Sequence, residues 1–80
     1  MVFDAIDDNI LKELSKEDTP SISDLAEKVG LSKTAIFNRL QKLQYWNMIT
    51  QPAKGQHRAR KLTEAGTEYL TKNYGEGAIG

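Results

Sequence analysis

The sequence has no cysteine, only one histidine and two prolines, and equal numbers of basic and acidic residues in its 80 positions. Without cysteine there is neither a disulfide framework nor a thiolate nucleophile, and His57 alone has no second ligand at metal-site spacing. No apolar run approaches the roughly 18 residues of a membrane span. The start, MVFDAIDDN, lacks the basic-then-apolar layout of a signal peptide, so a cytoplasmic, nucleoid-associated chain is expected. No glycine-rich phosphate loop and no Ser/His/Asp set is present, which excludes an enzyme reading and implies no cofactor. At this length the chain buries only about 60% of its unfolded surface, enough for one small domain. That domain is expected over residues 1–74, with 75–80 a flexible tail.

What is present is an uneven distribution of charge. Met1 to Gly30 carries eight acids against three lysines, a net of −5; Leu31 to Lys61 carries seven basic residues and no acid; Leu62 to Gly80 nets −2. A neutral total therefore conceals a basic middle third, and it is the local field of such a patch that attracts an anionic partner. Charge alone leaves open whether that patch grips something or is simply solvated.

Apolar spacing predicts three helices in the first half. Ile6, Ile10, Leu11 and Leu14 mark a helix from about Asp4, its N-cap, to Lys16, with Asp7, Asp8, Lys12 and Glu13 on its open face. EDTP then breaks the chain. Ser21, with Asp24 three residues on, caps a second helix carrying Leu25, Ala26 and Val29, and Gly30 ends it. Ser32 caps a third helix from about Lys33 to Trp46, with Ile36, Leu40 and Leu43 on its buried stripe and Thr34, Asn38, Gln41 and Tyr45 opposite. Asn47 tolerates the left-handed conformation that ends such a helix.

Two short strands, MIT and RARKLT, are expected next, joined by the turn residues of QPAKGQH into a hairpin with Gly55 near its tip. Alternation puts Arg58 and Arg60 on one face and His57, Ala59 and Lys61 on the other. Thr63 caps a last helix over about Glu64 to Lys72, anchored by Tyr69 and Leu70, and the glycine-rich YGEGAIG is expected to fray. The expected core is Ile6, Ile10, Leu14, Leu25, Val29, Leu31, Ile36, Leu40, Leu43, Ile49, Leu62 and Leu70.

ISDLAEKVGLSKTAIFNRLQKLQYWNMIT resembles the helix-turn-helix core of winged-helix transcription regulators of the MarR and Lrp/AsnC families. Leu25, Ala26, Gly30, Leu31, Ser32, Ile36, Leu40, Leu43 and Ile49 carry the likeness. RARKLTEAGTEYL resembles the returning strand of a wing followed by the LTxxG helix start of MarR-like proteins, which extends the resemblance from Ile22 to Leu70. It implies a mainly α fold with a small β-hairpin, ordered helix, helix, helix, wing, helix. Three positions depart from the families: Asn47 replaces a usual glycine, and Tyr45 and Trp46 replace usual charged residues. No counterpart of the domains with which Lrp relatives bind amino acids, and no small-molecule effector site, is expected within these 80 residues.

The resemblance implies double-stranded DNA as partner and a homodimeric regulator, its third helix in the major groove. The candidate reading site is Ser32, Lys33, Thr34, Phe37, Asn38, Arg39, Gln41 and Lys42. Asn38 suits bidentate bonding to adenine, Thr34 and Phe37 suit a thymine methyl, and Lys33, Arg39 and Lys42 suit phosphate. Phe37 is equally placed to complete the core. Trp46 lies near Arg39 and Lys42 for a cation–π contact, or packs on the first helix, the wing or a second copy. The candidate wing site is Lys54, Gln56, His57, Arg58 and Arg60, on phosphate or in a minor groove. The competing reading is a winged-helix module that binds protein or RNA.

Overall fold

The computed structural model describes residues 3–16, 20–50 and 61–75. They form four helices, α1 (Ala5–Lys16), α2 (Ile22–Val29), α3 (Lys33–Tyr45) and α4 (Glu64–Tyr74). The fold is mainly helical, as the sequence patterning predicts.

Each helix start is set by a side chain within reach of the first turn's unpaired amides. Asp4 and Asp7 cap α1 reciprocally: Asp7 N–H donates to Asp4 Oδ1 at 3.0 Å and Asp4 N–H to Asp7 Oδ2 at 3.1 Å. Ser21 and Asp24 do the same for α2, at 3.0 and 3.3 Å. Gly30 then takes a left-handed φ of 83°, which lets the amides of both Gly30 and Leu31 reach the Ala26 carbonyl. Two residues later Ser32 Oγ accepts from Ala35 N–H at 3.1 Å and opens α3. Helix, tight turn and helix thus follow from local chemistry alone.

Asn47 ends α3 with a φ of 60°, the left-handed conformation expected of it. The chain turns back there, and Met48 to Thr50 runs antiparallel to Lys61 to Thr63. Thr50 N–H donates to the Lys61 carbonyl at 2.8 Å, Thr63 N–H donates to that of Met48 at 3.0 Å, and Ile49 pairs with Leu62. Residues 51–60 lie outside the described residues, and the expected wing tip lies there with Lys54, Gln56, His57, Arg58 and Arg60.

Thr63 links this pairing to α4. Its hydroxyl accepts from Gly66 N–H at 3.1 Å, capping the helix, and donates to the Asn47 carbonyl at 2.5 Å. α4 extends two residues beyond the expected Lys72, to Tyr74.

The core is closed by Ile10, Leu11 and Leu14 of α1, Leu25 of α2, Ile36, Leu40 and Leu43 of α3, Ile49 and Leu70, all buried. Each fully buried leucine or isoleucine contributes about 1.5–3 kcal/mol. Ile6, Val29, Leu31 and Leu62, expected inside, form a half-buried rim, and Leu11 takes the fully buried place on α1. α1 packs against α2 and α4, and α2 against α3.

One expectation is overturned. Asp7 and Asp8 do not lie on an open face of α1: Asp7 has no exposed surface and Asp8 is 7% exposed. A buried carboxylate is costly unless it is paired. Both are paired here, by groups on α3 and α4.

Candidate nucleic-acid interface

The inward face of α3 is fixed by Ile36, Leu40 and Leu43, so the residues between them point out. Lys33, Thr34, Phe37, Asn38 and Gln41 are all exposed. Thr34, Asn38 and Gln41 stand at i, i+4 and i+7, in one line along the helix. Phe37, placed by sequence at the edge of the stripe, is 40% exposed and belongs to this outward surface. Ser32 is exposed beside it, with its hydroxyl engaged in capping. The outward side of α3 from Lys33 to Gln41 therefore presents one ammonium, two amides, a threonine hydroxyl and an aromatic ring, with no carboxylate among them.

Arg39 and Lys42 are turned elsewhere. Arg39 Nη1 donates to Asp4 Oδ2 at 2.6 Å and to Asp7 Oδ1 at 3.3 Å, while Lys42 Nζ meets Asp7 Oδ2 at 2.5 Å. The hydrogen bond from Arg39, reinforced by the Asp7 amide, lowers the Asp4 pKa from its ordinary 3.8 to about 2. Reciprocally, the bond to Asp4 raises the pKa of Arg39. These two cations of α3 are thus tied to the start of α1.

The aromatic residues organise the same corner. The Phe3 ring meets Trp46 edge-on at 6.3 Å and Tyr69 edge-on at 5.4 Å, and Trp46 meets Tyr45 at 5.7 Å. The cation–π contact expected at Trp46 forms at Phe3, whose ring centroid lies 5.8 Å from the Lys42 ammonium. Trp46 itself packs on the segment leading into α1 and is 46% exposed.

A second set of contacts joins α1 to α4. Tyr69 Oη donates to Asp8 Oδ1 at 2.7 Å, and Tyr74 Oη donates to Asp8 Oδ2, giving each carboxylate oxygen one hydroxyl donor. Burial and then the bond to Asp8 raise the Tyr69 pKa, whereas for Tyr74 the bond to Asp8 comes first. Both phenols remain protonated donors at neutral pH. The Lys12 ammonium sits 3.8 Å over the Tyr74 ring.

Asp4, Asp7, Asp8, Phe3 and Tyr74 were not among the sequence-derived site residues. One signal for Asp7 was present: it continues the stripe of Ile10, Leu11 and Leu14 backwards by three and four residues. Among the described residues no group of three or more histidine, cysteine or acidic side chains could hold a metal ion. None of the described helices is long and apolar enough to cross a membrane.

Comparison with known proteins gives this arrangement a family. Residues 3–44, just over half of the chain and all of α1, α2 and nearly all of α3, match the AsnC-type helix-turn-helix domain. An uncharacterized HTH-type transcriptional regulator of Pyrococcus furiosus is 44% identical over 47 residues, 59% of this chain and 30% of that protein. The chain therefore spans about a third of the length of that relative. No solved structure matches. Of the two families that the sequence resembles, the match falls on the Lrp/AsnC side, and it ends before the pairing of Ile49 with Leu62. The chain belongs to the AsnC-type helix-turn-helix domain family.

Proposed function

We propose that this chain binds double-stranded DNA sequence-specifically as the reading part of a transcriptional regulator. One observation carries the proposal. α3 exposes Lys33, Thr34, Phe37, Asn38 and Gln41 while the opposite face is anchored in the core. A helix held in this way presents neutral donors and acceptors to the edges of bases in a major groove. Asn38 reads adenine, Thr34 and Phe37 meet a thymine methyl, Gln41 reaches a base one turn on, and Lys33 takes a phosphate.

The basic stretch with Lys54, Gln56, His57, Arg58 and Arg60 then forms the wing, on adjacent backbone or in a minor groove. A homodimer places two such helices on a two-fold-related site. Residues 1–74 are the binding domain and 75–80 its tail, acting in the cytoplasm on the nucleoid.

Duplex binding measured against salt concentration tests the proposal. Affinity should fall with a log–log slope of about −0.9 for each phosphate neutralised. Arg58→Ala combined with Arg60→Ala should weaken binding and flatten that slope. An absence of duplex binding at low salt, or binding indifferent to the double change, overturns the proposal in favour of a protein or RNA partner.

A further inference from the structure

α3 carries three cations, and only Lys33 lies on its exposed outward face. Arg39 and Lys42 lie against carboxylates at the start of α1: Arg39 touches the capping Asp4 and Asp7, and Lys42 touches Asp7. The side chains of Arg39 and Lys42 are nonetheless 28% and 32% accessible, so an anion at the helix flank can reach them. Asp7 has no exposed surface, whereas the Asp4 side chain is 55% exposed. Two positive charges are thus matched by two negative ones, a fixed one beneath and a reachable one at the rim.

We infer that Asp4 and Asp7 are specificity-determining residues: they withhold Arg39 and Lys42 from DNA phosphates and so suppress sequence-independent binding. The inference rests on the DNA-binding reading above. Sequence-independent attachment to duplex comes almost entirely from phosphate neutralisation, while sequence is read at base edges. Carboxylates that occupy two flanking cations lower the first contribution and leave Thr34, Asn38 and Gln41 untouched. A phosphate must compete for Arg39 with a carboxylate held at 2.6 Å from its Nη1. The acidic first helix therefore acts on the interface from the side, as an internal competitor for the cations of α3.

The test is Asp4→Asn, because asparagine caps a helix about as well as aspartate and the change removes charge while keeping the α1 start. Binding of a random-sequence duplex is measured from roughly 50 to 200 mM salt for the wild type, Asp4→Asn and Asp4→Asn with Arg39→Gln. Asp4→Asn should bind more tightly at low salt with a steeper slope. One newly neutralised phosphate makes that gain shrink about three- to fourfold across the range. The gain should vanish in the double variant, a result that lost stability in Asp4→Asn alone cannot produce. A slope equal to that of the wild type, or a gain that survives Arg39→Gln, overturns this inference and leaves the DNA-binding reading standing. Binding by Asp4→Asn without binding by the wild type supports the withholding and overturns the wild-type function. If neither binds, both fall.

Discussion

Gly66 of α4 lies directly against the backbone of Met48: a Cβ built on Gly66 stands 2.2 Å from the Met48 carbonyl oxygen. That oxygen also accepts the Thr63 amide that pairs residues 48–50 with residues 61–63. Gly66→Ala forces the carbonyl aside and loosens the pairing. Overpacking of this kind costs about 2–3 kcal/mol and lowers Tm by roughly 10 °C. Thermal unfolding followed by circular dichroism measures the loss, and an unchanged Tm contradicts the close approach.

Tyr69 and Tyr74 share Asp8 but differ in burial, so their hydroxyls differ in worth. Tyr69→Phe leaves Asp8 Oδ1 without its donor inside the α1–α4 contact and should cost about 1–2 kcal/mol. Tyr74 is 43% exposed, water can replace its hydroxyl, and Tyr74→Phe should cost less than Tyr69→Phe. Urea unfolding orders the two, and a larger loss at Tyr74 refutes the assignment.

Asp4 makes the fold sensitive to acid in a defined direction. Its folded pKa is depressed, from 3.8 to about 2, chiefly by the hydrogen bond from Arg39. The stability it contributes is therefore complete above about pH 4 and is lost as pH falls towards 2. The carboxylate is more than half exposed, so solvent screening limits the contribution to no more than about 1 kcal/mol. Carbon-detected NMR titration should find Asp4 well below the ordinary carboxylate range, and Arg39→Met should return it towards 3.8. An Asp4 titration unaffected by Arg39→Met contradicts the ion pair.

Asn38 and Arg58 should fail in different ways when truncated. Asn38→Ala should lose about 1–3 kcal/mol on a preferred duplex and little on random DNA, while Arg58→Ala should weaken both alike. The preferred duplex comes from selection out of a random pool, where a palindromic result also reports dimer symmetry. Equal losses on the two duplexes for both variants refute this division between base reading and backbone contact.

The parts of the fold legible in the sequence were those decided within a few residues. Ser21 with Asp24, Gly30, Ser32, Asn47 and Thr63 each act on amides or carbonyls in the same or the next turn, and each stands where its residue type predicts. The outward line of Thr34, Asn38 and Gln41 was legible for the same reason, since helical period alone sets it. The sequence pattern places Asp7 and Asp8 on an open face because their partners lie far along the chain. Arg39 and Lys42 are 32 and 35 residues from Asp7, and Tyr69 and Tyr74 are 61 and 66 from Asp8. An acid on a short amphipathic helix is read as solvated unless those distant partners are known. Phe3 escaped notice similarly, because Trp46 and Tyr69 approach it only once α3 and α4 are packed.

The anchoring of Tyr69 and Tyr74 on Asp8 also governs how the molecule opens. Detaching α4 alone strips a nearly buried carboxylate of both its hydroxyl donors and uncovers Leu70, so α4 does not peel away while α1 stays in place. The first and last described helices should therefore open as one cooperative unit, and hydrogen exchange should find their slowest amides opening together. An 11-residue helix is marginal on its own in water, so such coupling should tie the persistence of α4 to that of α1.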